Sequence, residues 1–172
     1  RDSGEPVYSP DGRYLYYSLD NLKGKNFAYS QDSTKGIYAI RKLDRETNKD
    51  EVVVSGFGGA SRPTPSPDGK WLAYVTRRDF QSTLALYNLE SGDRKVIYEK
   101  LDRDLQESWA VHGTYPSMAW TKDNQNILFW ADGKIKKINI NSKKTSDILF
   151  HVKTKKKIQR ALRFPQKIND NK

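Results

Sequence analysis

Hydrophobic and polar positions alternate in short runs along the chain, and polar turn residues separate these runs. The clearest runs are rich in aromatic and branched aliphatic side chains and cover Tyr14 to Tyr17, Trp71 to Val75 and Ile127 to Trp130. Such composition is typical of β-strands, and the runs are too short for helices. The pattern therefore predicts a chain built from strands.

The turn before each of these strands repeats in sequence. Ser9 to Leu15 returns as Ser66 to Leu72, 57 positions later, and a more divergent copy, Thr121 to Ile127, has its aspartate 55 positions after that of the second. Proline, aspartate and glycine or asparagine in this order favour a tight hairpin turn. We assign a structural role to these turn residues: Ser9, Pro10, Asp11, Gly12, Ser66, Pro67, Asp68, Gly69, Asp123 and Asn124.

Two more strands follow in each repeat, joined by a polar turn. The third strands are predicted at Ile37 to Ile40, Leu84 to Leu89 and Ile135 to Ile140, and the fourth at Glu51 to Val54, Lys95 to Tyr98 and Asp147 to Phe150. Together with the segment that precedes each turn, the repeating unit has four strands.

The first strand of every unit contains proline, at Pro6, at Pro63 and Pro65, and at Pro116. Proline cannot donate to a strand ladder, so these strands belong at sheet edges, as does the innermost strand of a propeller blade. We predict an all-β fold, a β-propeller segment of about three four-stranded antiparallel blades at about 5–58, 59–114 and 115–152. Because 4 to 8 blades close a ring, the segment would belong to a larger propeller of six to eight blades or be completed by another chain, including a second copy.

The net charge of +10 is concentrated at one end of the chain. Residues 134–172 hold 13 basic and two acidic residues, which leaves 18 basic and 19 acidic residues in the rest. We interpret 153–172 as a basic C-terminal extension or linker, and we do not expect nucleic acid as a partner, although a basic end could bind nucleic acid or anionic lipid. No apolar run is long enough to span a membrane, no signal segment opens the sequence, and there is no cysteine.

No pattern of catalytic or metal-binding residues is present, so we predict no catalytic residues, no metal site and no cofactor. Gly58 to Arg62 does not match the nucleophile elbow of serine hydrolases, and the two histidines, His112 and His151, are isolated. Asp102, Asp104 and Glu107 lack the spacing of a calcium loop and are interpreted as a surface charge cluster.

Aromatic residues recur at matching places in the units. They are Tyr14, Tyr16, Tyr17, Trp71, Trp120 and Trp130, and we assign most of these six to the core between blades. Two long polar segments, Asn21 to Lys35 and Leu101 to Gly113, interrupt the repeat, and the second has the spacing of a helical turn at Leu105 and Trp109. We expect Trp109 and Tyr115, beside the second segment, to be exposed.

The Ser-Pro-Asp-Gly turn with its basic residue, aromatic residue and leucine resembles the WD40-like repeat, or PD40 repeat, of TolB-like propellers. Related propellers cover serine peptidases of the prolyl-oligopeptidase type. The segments most similar to the N-terminal propellers of bacterial amidohydrolases are Lys25 to Ser33, Leu101 to Ala110, Gly113 to Pro116 and Phe129 to Ile135. That resemblance implies a metal-dependent hydrolase domain in the parent protein and a periplasmic or secreted location.

The resemblance implies a non-catalytic region that scaffolds, gates or mediates interactions for an associated hydrolase domain. The alternatives are a free-standing TolB-like protein–protein interaction module and the propeller domain of a prolyl-oligopeptidase-type peptidase. The expected partner is protein, either further domains of the same polypeptide or another chain. Because propeller partners meet the mouth of the channel, the candidate partner-binding residues are Arg62, Arg77, Arg78, Asp102, Arg103, Asp104, Trp109 and His112.

Overall fold

The structure is a computed structural model that describes residues 3–20, 38–79, 81–102, 115 and 117–158. Every regular element in these ranges is a β-strand. Blade 1 consists of β1 (Ser3–Tyr8), β2 (Tyr14–Asp20), β3 (Tyr38–Asp44) and β4 (Asp50–Val54). Blade 2 consists of β5 (Ser61–Pro65), β6 (Trp71–Arg78), β7 (Gln81–Asn88) and β8 (Arg94–Tyr98). Blade 3 consists of β9 (Ala119–Trp120), β10 (Asn126–Ala131), β11 (Lys134–Asn139) and β12 (Thr145–Ile148).

The three blades are separate four-stranded sheets, and within each sheet every strand pairs antiparallel with the next one along the chain. This confirms the predicted all-β fold with four strands per unit. The first strands β1, β5 and β9 each lie at a sheet edge, and β1 and β5 contain proline, whose missing amide donor suits an edge position. Pro116, the proline expected in the first strand of blade 3, lies outside the described residues.

The same hydrogen bonds close the turn between the first and second strands of each blade. In blade 1 the Ser9 hydroxyl donates to Asp11 Oδ1 at 2.5 Å, and the backbone N–H of Tyr14 donates to Ser9 Oγ at 2.8 Å. Ser66 and Asp68 repeat this arrangement in blade 2, and Thr121 repeats it with Asp123 in blade 3. Because threonine retains the hydroxyl, the divergent third copy forms the same turn.

Apolar side chains fill the space between neighbouring blades, and alternation along each second strand decides which neighbour a side chain meets. Tyr16 of blade 1 belongs to one buried cluster with Leu72 and Tyr74 of blade 2. Ala73 and Val75, on the other face of β6, belong to a second cluster with Ile127 and Phe129 of blade 3. Blade 2 therefore contributes both faces to the core.

The fourth strand of blade 3 begins and ends two residues earlier than predicted. Ile148 pairs with Ile135, which is preceded in β11 only by Lys134. Strand β11 therefore offers Leu149 and Phe150 almost no residues to pair with, and both side chains are exposed.

Most of the six recurring aromatics lie in the core between the described blades and two do not, whereas the expected exposure of Tyr115 is wrong. Trp130 is 40% exposed because it lies on the face of blade 3 that points away from blade 2, and Tyr17 lies on the outer face of blade 1, where its hydroxyl donates to Asp50. Tyr115, which we expected to be exposed, is buried in the cluster between blades 2 and 3. Tyr16 is buried, and Tyr14, Trp71 and Trp120 are partly buried against the clusters.

Candidate interaction site at the loop end of the blades

The two ends of the blades differ in their connections. The turn end carries the repeated turns between first and second strands, and the loop end carries the connections from second to third strands and from one blade to the next. Hydrogen bonds between blades show that the turn ends of neighbouring blades lie together, and likewise their loop ends. At the turn end the Asp68 N–H donates to Asn124 Oδ1, and at the loop end the Ala60 N–H donates to the Tyr38 carbonyl.

Glu5 and Arg62 form a polar cluster that joins the first strands of blades 1 and 2. Both residues have a left-handed backbone with φ of 58°, and each lies where the pairing of its strand with the second strand shifts register. Glu5 Oε2 accepts hydrogen bonds from the Ser18 hydroxyl and from the Arg62 backbone N–H, both at 2.6 Å. The bulge thereby directs the Arg62 amide into the neighbouring blade.

The side chains of Glu5 and Arg62 also form an ion pair, in which Arg62 Nε lies 3.0 Å from Glu5 Oε1. The two atoms are buried, and neither has an aligned hydrogen bond, so the contact is chiefly electrostatic. The Arg62 side chain remains 23% exposed, against 9% for Glu5. Arg62 therefore holds two blades together, and its side chain keeps some contact with solvent.

The two other candidate arginines, adjacent at the loop end of β6, differ in exposure. Arg77 is only 8% exposed, and its backbone N–H donates to the Gly58 carbonyl at 3.2 Å. Arg78 is 64% exposed, with its guanidinium 3.7 Å from Asp79 and 3.8 Å from Glu99. Exposed pairs at these distances are weak, so Arg78 is available to a partner whereas Arg77 is buried.

Asp102 forms hydrogen bonds with other residues of the chain. Its Oδ2 accepts a hydrogen bond of 2.9 Å from the N–H of Asp132, in the turn between β10 and β11. Its own N–H donates to the Tyr115 hydroxyl at 2.8 Å. Tyr115 is buried in the cluster between blades 2 and 3, where its hydroxyl also accepts this bond from Asp102, and the sequence carries no signal of that contact.

The remaining candidates, Arg103, Asp104, Trp109 and His112, and the predicted helical turn lie outside the described residues. The described candidates Arg62, Arg77, Arg78 and Asp102 are positioned at or near the loop end. Within the described ranges no three His, Asp or Glu side chains come together as a metal site would require. Glu5 was missed, although it occupies the same place in its repeat as Arg62, with the opposite charge.

Comparison with known proteins agrees with this architecture. No protein-family model matches the chain. The "Tol-Pal system protein TolB" of Actinobacillus succinogenes is 31% identical over 86 residues, which cover 48% of this chain and 20% of that protein. The crystal structure of TolB from Acinetobacter baumannii superposes on 87% of this chain and 32% of its own, with a TM-score of 0.63 and 18% identity. The β-propeller domain of the trilobed protease from Pyrococcus furiosus gives a TM-score of 0.56 and 18% identity over 85% of this chain and 41% of its own.

The separate four-stranded sheets, their edge strands and these likenesses define a partial β-propeller. Its fold is the TolB-like β-propeller fold. The chain spans about a third of the solved TolB and matches a fifth of the curated one. In the part of the chain that the structure describes, no helix is long and apolar enough to cross a membrane.

Proposed function

We propose that this chain is a non-catalytic propeller region that mediates protein–protein contacts through its loop end, as scaffold or gate for an associated hydrolase domain. The observation that carries the proposal is the contrast between the two arginines of β6. Arg77 is buried in the blade, whereas Arg78 is exposed to solvent and makes exposed, weak ion pairs with Asp79 and Glu99. Arg62 adds a partly exposed arginine side chain near the same end.

The amidohydrolase-like identity of that domain rests on the sequence resemblance, as does a periplasmic or secreted location. The likeness to TolB supports the propeller itself and favours one alternative, a free-standing protein–protein interaction module. The likeness to the propeller of the trilobed protease keeps a peptidase-associated propeller as the other alternative.

The test uses the complete reading frame that contains this chain, expressed as one protein. A metal-dependent hydrolase domain in that frame supports the scaffold role, and a serine peptidase domain supports the peptidase alternative. A reading frame that encodes neither domain supports the alternative of a free-standing interaction module. Fractionation of cells that produce the complete protein tests the proposed location.

Variants of the complete protein then test the loop end. If a hydrolase domain is present, Arg78→Glu should change its KM or its thermal inactivation, because reversing an exposed charge weakens a complementary contact. The control is Lys144→Glu, which reverses an exposed charge at the turn end. Equal behaviour of both variants would contradict the proposed site.

A second assay addresses catalysis by the chain itself. We expect the purified chain to hydrolyse no peptide, ester or cyclic amide, with or without added zinc. Turnover that copurifies with the chain and is proportional to its concentration would contradict the non-catalytic assignment.

A further inference from the structure

A groove of about 400 Å³ opens at the turn end between blades 1 and 2. Tyr14 and Tyr16 of β2 contribute to its lining from blade 1, and Pro65 contributes from blade 2. The two repeated turns add their proline and aspartate residues, Pro10, Asp11, Pro67 and Asp68. The groove lies at the opposite end of the blades from the proposed loop-end site.

The repeat shows what distinguishes this groove from the corresponding place between blades 2 and 3. Pro65 pairs with Leu72 in blade 2, and Trp120 pairs with Ile127 in blade 3, so Pro65 and Trp120 occupy the same position of the repeat. Trp120 packs against the cluster between blades 2 and 3, and its indole Nε1 donates to the Thr64 carbonyl at 2.9 Å. Blade 3 thus directs its own indole onto the first strand of blade 2.

Blade 2 has no such side chain to direct onto blade 1, because proline stands at this position. The backbone that would receive an indole is nevertheless equivalent. Val7 pairs with Tyr16 as Thr64 pairs with Ala73, and the preceding bulge residues Glu5 and Arg62 share the same φ. The Val7 carbonyl therefore corresponds to the acceptor that Trp120 uses.

A second substitution widens the groove at its rim. In blade 3 the turn residue Asn124 places its side-chain oxygen 3.0 Å from the backbone N of Asp68. The equivalent residue of blade 2 is Gly69, whose missing Cβ would meet no atom within 4 Å. At both positions whose side chains bridge blades 2 and 3, Trp120 and Asn124, blade 2 has a smaller residue facing blade 1, Pro65 and Gly69.

The chemistry of the groove suits an aromatic group with a hydrogen-bond donor. Tyr16, Pro65 and Pro67 provide apolar surface for an aromatic ring. Lys42 also lines the groove, with its Nζ 4.8 Å from the centre of the Tyr14 ring, and adds a cation that can contact the face of an aromatic ligand. Burial raises the pKa of Tyr16 to about 12, which reflects the apolar surroundings of its hydroxyl. The Ser9 hydrogen bond lowers the pKa of Asp11, which keeps a carboxylate at the rim for the polar flank of a ligand.

We propose that this groove binds a tryptophan side chain of a protein partner, with its indole N–H donated to the Val7 carbonyl. The occupant is defined by the chain's own Trp120, which shows how an indole is received at the equivalent place. The inference is independent of the loop-end function, since it uses none of the same residues.

The first test supplies the indole within the chain. Pro65→Trp adds a fifth indole to the four of the wild type, and Tyr8→Trp is the matched control, because Tyr8 holds the same repeat position on blade 1 and is exposed. We expect the new indole N–H of Pro65→Trp to exchange with solvent at least about tenfold more slowly than that of Tyr8→Trp in nuclear magnetic resonance spectra. Equal exchange rates would overturn the proposal.

The second test adds the ligand from outside. N-acetyltryptophanamide should shift the amide resonances of Tyr14, Asp68 and Gly69 in the wild-type chain, with a dissociation constant of roughly millimolar order. The shifts should disappear in Gly69→Asn, which closes the rim as Asn124 does in blade 3. Absence of these shifts, their persistence in Gly69→Asn, or equal shifts with N-acetylalaninamide or N-acetyllysinamide would overturn the assignment.

Discussion

At the residue scale, the junction of blades 1 and 2 depends on two residues that share one place in the repeat and carry opposite charges. Glu5 and Arg62 adopt the same left-handed backbone, and they contact each other through both side chain and main chain. A left-handed conformation is costly for residues other than glycine. The paired charges and the hydrogen bonds to Glu5 Oε2 offset that cost at the junction.

We predict that Arg62→Met lowers the free energy of unfolding by about 1–3 kcal/mol, because it leaves the Glu5 carboxylate buried without its counter-ion. Urea denaturation measures the change, and Arg78→Met, at an exposed arginine, should cost less than about 0.5 kcal/mol. Adding Glu5→Gln should recover part of the loss in a double-mutant cycle. Purely additive losses would show that the two charges are not coupled.

The loss of folding stability at acidic pH should depend on Asp44. The hydrogen bond from Arg13, at 2.8 Å, lowers the pKa of Asp44 from 3.8 to about 2. A pKa that is lower in the folded state stabilises the protein above the unfolded value, and this stabilisation is lost as pH falls through about 4 to about 2. Hydrogen bonds from Lys42 and Lys49 similarly lower the pKa of Glu51 to about 2.

We therefore expect Asp44→Asn to be less stable than the wild type at pH 7 and to lose less stability between pH 4 and pH 2. Urea midpoints across this range provide the measurement, with Glu90→Gln, at an exposed glutamate, as the control carboxyl. Parallel pH curves for wild type and Asp44→Asn would contradict the Arg13 contact.

At the element scale, the strands follow local rules, whereas their connections depend on contacts between blades. The second strands and the third strand of blade 2 could be predicted from alternation and turn residues alone, because each pairs with a neighbour close in sequence. The end of β12 could not, since it is set by where β11 begins. Local sequence patterns therefore predict the presence of a strand more accurately than the residue at which an edge strand ends.

The connection between blades 1 and 2 illustrates a close backbone approach. A Cβ at Gly58 would lie 2.0 Å from the Arg77 carbonyl oxygen, and φ is +77° there. We predict that Gly58→Ala costs about 3 kcal/mol or more, because the backbone of β6 must move. Gly69→Ala, with open space around its Cβ, should cost only about 1–2 kcal/mol from left-handed strain. Equal losses in thermal denaturation would contradict the close approach.

At the scale of the whole molecule, the repeat explains which parts of the site were predictable. Arg62 and Arg78 were identified from position in the repeat, and both retain exposed surface. The burial of Tyr115 depends on side chains that meet only when blades 2 and 3 pack, and the buried Arg77 contacts Gly58 in the connection between blades 1 and 2. Such contacts join residues distant in sequence, and no periodic pattern records them.

The outer face of blade 3 carries exposed apolar side chains at positions that blade 2 buries. Trp130 corresponds to Val75 and Ile135 to Leu84 in the strand registers, and both blade 2 residues are 0% exposed. Exposed apolar faces of this kind favour association. We propose that a further blade-like sheet, of the same polypeptide or of a second copy, covers this face.

We predict that the isolated chain self-associates reversibly as its concentration rises, and that Trp130→Ser weakens this association. Size-exclusion chromatography with light scattering measures the mass. Phe57→Ser serves as the control, because Phe57 is 68% exposed and lies in the connection between blades 1 and 2. A wild-type monomer at every concentration, or equal effects of the two variants, would contradict the prediction.

The central claim is that three separate sheets pack face to face in chain order. Nuclear Overhauser spectroscopy of the chain tests it most directly, because the rings of Tyr98 in blade 2 and Phe129 in blade 3 lie 4.8 Å apart with their planes at 61°. We predict strong contacts between these rings and between the Trp120 indole N–H and Thr64. Absence of the ring contacts, together with backbone pairing of β4 with β5 or of β8 with β9 in one continuous sheet, would contradict the propeller architecture.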